Sequence, residues 1–410
     1  MKKTANSWVW AGVALLGVCA FSAGLWLRPM LPGGDTAQSG PQVAAGVVRG
    51  QPGPWGELGY TPISIAAPDE VLPLQAMEAK PLVWFWGSTT TAELSTFFAS
   101  VGLSAAQSEQ LLQPACVTVR PQGLELRPAR DTVVALEPAA RQELYKRLAR
   151  YPENRDDFIY IPSVKLPELL RRSGVSPATA DLARKWSCTY GRYTVYFGLA
   201  CLLSSLPTYE DKVHFLKAVS RQATYLLHLH ITPESDINAL TRYWGKACWS
   251  SDTQAFLESL AAVRGGAWLD VIELLPPLPT SLLYTYPLSQ NPLKGPVLIR
   301  DCHWTAFNFF RDLPDERYAN PSFVFRHLHD DFTPVHGDTR YGDLVLLTKP
   351  DGSIIHSAVF LADGFVFSKN GDTDLHPWLI CTLADLLEQY AFQVPPEQQL
   401  NVVFFRNKYY

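Results

Sequence analysis

The hydrophobic pattern changes three times along the chain. From Trp8 to Leu27 the residues are nearly all apolar or small, and Lys2 and Lys3 precede them. A run of about 20 such residues matches a bilayer-crossing helix. The leading lysines place the N-terminus in the cytoplasm. The expectation is an uncleaved single-pass anchor that contacts the cytoplasmic membrane through residues 8–27. It puts residues 31–410 on the periplasmic side. A cleaved signal peptide ending near Ala20-Phe21-Ser22, or a lipoprotein signal at Cys19, puts them on the same side.

Residues 1–30 are thus read as anchor or signal segment. Residues 31–68, rich in Gly, Pro, Ser and Gln, read as a flexible linker. Residues 69–175 alternate between strand and helix signals. "PLVWFWG" reads as a strand, and Ser104 with Gln107 as a capping box. "ACVTVRPQGLELRP" reads as a hairpin, "EPAARQELYKRLARY" as a helix and "DFIYIPSVKL" as extended chain. Residues 176–266 read as consecutive helices starting at Ser176-Pro177, Thr208, Thr232-Pro233 and Ser251. Within them "YTVYFGLACLLSSL" is expected to be one buried core helix.

In residues 267–410 the extended stretch "WLDVIELLPPLPTSLLYTYPL" precedes a helix at "RDCHWTAFNFF". Strands are expected at 322–329, 342–349 and 354–371, the last a hairpin turning at Asp363-Gly364. "TLADLLEQYAF" reads as a helix and "NVVFFR" as a final strand. The fold class expected is α+β. It has an N-terminal transmembrane helix, mixed and helical middle regions, and a C-terminal domain with a helix packed on an antiparallel sheet.

Composition narrows the chemistry. The apolar fraction of 47% fits a folded protein, and a net charge of -4 gives no reason to expect nucleic acid. The seven cysteines form no CxxC pair, so the chain is no disulfide scaffold. G-x-S-x-G, P-loop and GxGxxG motifs do not occur.

Cys302 is the candidate nucleophile. Asp301 is a good N-cap residue, and the first turn it caps favours a thiolate. A nucleophilic cysteine needs a base, and the base needs an orienting partner. His356 is the candidate base. Alternation puts His356, Ala358 and Phe360 on one strand face, which is expected to meet the helix. The orienting group must accept an imidazole N–H, which Asn370 can do through its side-chain oxygen. Ser368 shares its parity and stands next. The Cys302 amide and its neighbours are candidate oxyanion donors.

These segments resemble the NlpC-type cysteine peptidases, a papain-like superfamily that cleaves cell-wall peptides. The matching features are Asp301-Cys302 at a helix start, Gly342-Asp343-Leu344-Val345, and the strand led by His356 and ending at Gly364. They cover about residues 295–410. The resemblance implies a papain-like NlpC-type domain and an amide bond of a wall peptide as substrate. Two features depart from the family: His303-Trp304 stands where members carry Ser-Gly, and Ser368 where they commonly carry a third His.

Plainer readings compete. Cys302 can be a small core hydrophobe, His356 a satisfied strand histidine, and Asn370-Gly371 a turn pair. His303 is expected at the rim. His327 and His329 on one strand face, beside Asp330 and Asp331, could suit a zinc ion. No metal and no cofactor are expected. The leading expectation is a membrane-anchored extracytoplasmic cysteine hydrolase using Cys302, His356 and Asn370. The alternative is a catalytically inactive NlpC-like envelope protein that binds a peptide or protein partner.

Overall fold

The computed structural model describes residues 47–151, 153–154, 158–246, 250–287, 300–373, 375–395 and 397–409. The chain enters through β1 (Val48–Arg49) and β2 (Glu57–Ile65). Helix α1 (Leu74–Ala79) follows, then β3 (Trp84–Trp86). Helices α2 (Thr91–Ser100) and α3 (Ala105–Leu111) start with capping boxes on Thr90 and Ser104. The hairpin β4 (Val117–Arg120) and β5 (Gly123–Leu126) joins β3 in a sheet of order β3-β5-β4. Helices α4 (Arg130–Val134) and α5 (Pro138–Leu148) cover it.

Next come β6 (Phe158–Pro162), α6 (Leu166–Arg172), α7 (Pro177–Lys185), β7 (Ser187–Tyr190) and β8 (Tyr193–Phe197). These strands pair as β6-β8-β7. Gly198, at φ +66, turns the chain from β8 into α8 (Leu199–Ser205). Its left-handed backbone splits the expected core helix into a strand and a helix. Helix α9 (Tyr209–Ser220) leads to β9 (Gln222–Ile231). Then follow α10 (Ile237–Trp244), α11 (Ser250–Ala261), β10 (Ala267–Asp270) and α12 (Pro277–Leu282).

Strand β9 corrects two expectations. It pairs along its length with β2, from Glu57 opposite His230 to Ile65 opposite Gln222, and with β10 on its other side. Residues 57–65 are therefore sheet and not linker. Among the described residues, 176–266 hold five helices, but β7, β8 and β9 interrupt the expected helical succession. The signal is a period of two: Leu227, Leu229 and Ile231 are fully buried, with His228 and His230 between them.

The C-terminal part contains α13 (Cys302–Phe307), α14 (Pro321–Asp331) and α15 (Leu383–Tyr390). Its strands are β11 (Phe332–Pro334), β12 (Leu344–Thr348), β13 (Ile354–Ala362), β14 (Phe365–Lys369), β15 (Trp378–Thr382) and β16 (Asn401–Asn407). They form one antiparallel sheet of order β11-β16-β12-β13-β14-β15. One face, with Leu344, Leu346, Val359, Leu361 and Phe367, shares a core with Trp304 and Phe307 of α13. The other face, with Val345, Ala358, Phe360, Val366 and Cys381, packs on Leu386 of α15. The stretch 322–329, expected as a strand, lies in α14. Pro321 sits in its first turn, the Asn320 side chain caps it, and Val324 and Leu328 are buried at helical spacing.

The fold observed is α+β, and the expected transmembrane helix is corrected as well. Among the described residues no helix is long and apolar enough to cross a membrane. Residues 8–27, on which that expectation rested, lie outside the described residues, as does most of the expected linker.

Candidate active site

Helix α13 is set by its cap. The Asp301 carboxylate accepts the N–H of Trp304 at 2.8 Å, and Thr305 Oγ donates to the Asp301 carbonyl at 2.7 Å. Trp378 Nε1 donates to that same Thr305 Oγ at 2.9 Å, locking the helix to β15. Cys302 follows the cap and is 8% exposed. The backbone N–H groups of Ser357 and His303 favour its ionised form.

Burial dominates the thiol. Desolvation, with Asp301 adding to it, pushes Cys302 up to about 12, against the two amides and the Lys369 charge. The first turn of a six-residue buried helix offers a thiolate less than burial takes away.

His356 is fully buried, and His303 of α13 acts on it electrostatically. Its parity is that of Ala358 and Phe360, whose face meets α15, so the expected face is corrected. The Tyr390 ring of α15 lies on the imidazole, centroids 4.3 Å apart. Among the described residues no hydrogen bond joins Cys302 to His356. Ser357, the residue after His356 and on the α13 face, bonds His303 Nδ1 through its hydroxyl. His303 is thus a half-buried part of the site and not a rim residue.

The orienting residue is also corrected. His356 Nε2 meets Ser368 Oγ at 2.8 Å, and Ser368 Oγ donates to Asn370 Oδ1 at 2.7 Å. Asn370 stands one link behind. Its Nδ2 donates to Gln389 Oε1 at 3.0 Å, and Gln389 Nε2 returns to the Asn370 carbonyl at 3.3 Å. Because the Ser368 proton goes to Asn370, its oxygen accepts the Nε2–H of His356. The imidazole is then the Nε2–H tautomer, and Nδ1 carries a lone pair with no partner among the described residues. Burial and His303 hold His356 well below the ordinary histidine range, so the ring is neutral.

Helix α15 is held from the upstream part of the chain. Tyr193 Oη donates to the Glu388 carbonyl at 2.7 Å, and Lys165 pairs with the Glu388 carboxylate. Phe392, just past α15, stacks on Tyr160 at 4.2 Å. Residues 158–193 therefore brace the helix that covers His356.

The remaining candidates are structural in geometry. Arg406 makes two 2.7 Å bonds to the buried Asp343 carboxylate. Gly342 has φ +88, and a Cβ there would meet the Phe310 ring at 2.4 Å. His327 and His329 lie on a helix, where i,i+2 side chains diverge. His327 pairs with Asp331 at 2.6 Å. A cavity of about 150 Å³ beside α13 is lined by Phe307, Phe310, His327, Asp331 and Tyr409, away from the thiol.

The sequence missed Gln389 and Tyr390. Both sit in the last turn of a predicted helix, and no local pattern ties them to His356. Comparison with protein-family models, curated proteins and solved structures returns no match.

Proposed function

We propose that residues 300–409 hold the reacting centre of a thiol hydrolase that cleaves an amide bond. One observation carries this reading. The chain Gln389–Asn370–Ser368–His356 fixes the imidazole tautomer and leaves an unpartnered basic nitrogen inside the fold. A buried lone pair without a donor costs about 1–3 kcal/mol, and a proton to collect accounts for it.

In the proposed reaction Nδ1 of His356 takes the Cys302 proton as substrate binds. The sulfur bonds to the amide carbonyl carbon, and the C=O electron pair moves to oxygen. The carbonyl re-forms as the C–N bond breaks, and the imidazolium gives its proton to the departing nitrogen. Water then adds to the thioester, its proton goes to Nδ1, and the sulfur leaves and recovers that proton. The Ser357 and His303 amides, which favour the ionised sulfur, are placed to donate to developing negative charge. The resemblance to NlpC-type peptidases makes cell-wall peptides the substrate class.

A second reading has its own support. The thiol is protonated, enclosed and not bonded to His356, as in a non-catalytic module that binds a peptide or partner. Turnover of wall-derived peptides by the whole chain separates the two. The hydrolase reading expects Cys302→Ala to abolish turnover while the protein stays folded. Full turnover by that variant ends the nucleophile assignment. Peptide binding without turnover by the native chain favours the second reading.

A further inference from the structure

We propose that Lys369 is the counter-charge of Cys302, holding the sulfur's negative charge when the thiol ionises. The inference rests on Cys302 being the reacting group of the hydrolase reading.

Lys369 is 1% exposed, which is unusual for an ammonium group. It closes β14 on the face that carries Phe365 and Phe367, the face that packs on α13. Its Nζ donates to the carbonyls of Gly371 at 2.7 Å and Thr373 at 3.3 Å, and it lies 5.7 Å over the Trp378 ring. Trp378 in turn bonds Thr305, one turn along α13 from Cys302.

Strand register brings the two side chains to one place. The β13–β14 ladder reaches Val359 opposite Phe367 at this end. Ser357 and Lys369 are the next positions on the same face. The Ser357 N–H favours the ionised form of Cys302. Lys369 thus stands across from Ser357, whose hydroxyl bonds His303 beside Cys302, and the Lys369 charge acts on the sulfur.

The other groups here give a thiolate no comparable cation. On α13, Asp301 opposes ionisation, and His303 is kept neutral by burial. His356 on β13 is neutral and lies against the Tyr390 ring. Cys381 on β15 and Tyr390 on α15 are both pushed up by burial, hence uncharged. In the loop after β14, Asp372 acts on Tyr390, and His376 is held at about 4 with Lys369 contributing. A fixed ammonium fits a task that a buried neutral imidazole performs poorly: stabilising the anion before any proton is delivered.

The test is iodoacetamide labelling of the full chain across pH, with each cysteine resolved by mass spectrometry. Lys369→Met should slow Cys302 labelling at least tenfold at fixed pH and move its profile to higher pH. Lys369→Arg should restore it to within a few-fold, and half-exposed Cys116 should not change. A purely structural role predicts the opposite sign. Loosening the 371–373 turn would expose the sulfur and speed labelling, and faster or unchanged labelling overturns the proposal. If Lys369→Met does not fold, Lys369→Gln keeps a donor for the two carbonyls without the charge, and the same outcomes apply. Peptide turnover is read separately. A Lys369-dependent profile without turnover keeps this inference and sinks the hydrolase reading. Turnover that needs Cys302, with a profile indifferent to Lys369, does the reverse.

Discussion

His356 Nε2 stands 2.8 Å from Ser368 Oγ, and the direction of that bond is set two links away by the amide of Asn370. Removing each link should therefore have a different effect. Ser368→Ala strands a buried Nε2–H and should cost about 1–3 kcal/mol in urea unfolding. It should also let the ring change tautomer, visible in the imidazole nitrogen shifts by NMR. Asn370→Ala leaves the His356–Ser368 contact in place and should shift those nitrogens less. Equal tautomer shifts in both variants would contradict this order of links.

The Cys302 thiol is pushed up to about 12, against about 8.5 for an ordinary thiol. A thiol raised by burial ionises only as pH rises. At pH 8 the folded protein should label at Cys302 more than about a thousandfold more slowly than the urea-unfolded chain. Rapid labelling of the folded protein at neutral pH would show the sulfur to be open and acidic.

Acid should destabilise the fold through its histidines. Burial depresses His356, His303 and His327, and His376 falls to about 4. Each is neutral when folded and takes a proton near pH 6.5 when unfolded. Their stability contribution is complete above about pH 6.5 and is lost as pH falls toward the folded values. The limiting slope is about 1.4 kcal/mol per pH unit for each proton taken up on unfolding. Urea midpoints between pH 7.5 and 4.5 measure it, and His356→Gln should flatten the curve. An identical slope in that variant would remove His356 from the account.

Arg406 and Asp343 pin β16 to the start of β12. Arg406→Ala leaves the buried Asp343 carboxylate without its cation and should cost about 3–5 kcal/mol. Arg406→Lys should recover only part, because one ammonium cannot reproduce two parallel bonds. A loss below 1 kcal/mol in thermal or urea unfolding would show that water replaces the guanidinium. Gly342→Ala, strained and pressed on the Phe310 ring, should also destabilise the domain.

Residues whose partners lie within a few positions were legible in the sequence. Asp301 caps α13, Ser104 and Gln107 form their box, and Asp363-Gly364 turns the β13–β14 hairpin, each by local hydrogen bonds or backbone geometry. What failed was decided at long range. The strand β9 is set by partners in β2, over 150 residues earlier in the chain. Alternation separated the two faces of β13 correctly, but which face meets α13 depends on packing. Ser368 came second to Asn370 because side-chain chemistry ranks acceptors, and only coordinates measure reach. Lys369, a donor with no lone pair, is a poor partner for an imidazole N–H. Its neighbourhood with the sulfur depends on a register that the sequence does not carry.

Strand β15 ends the six-stranded sheet, yet its outer rim is dressed by distant parts of the chain. The Thr224 hydroxyl serves both backbone groups of Ile380, at 2.8 and 3.3 Å. Tyr284 donates to the Trp378 carbonyl at 2.8 Å, and the Trp378 N–H reaches Thr285 at 3.1 Å. A fragment cut to begin at residue 300 would keep Cys302, His356 and Ser368 but strip that rim. Bare strand groups of this kind recruit other strands, so such a fragment would self-associate. The upstream part of this chain is thus the seam that finishes the sheet, and the reacting centre has to be studied with it attached.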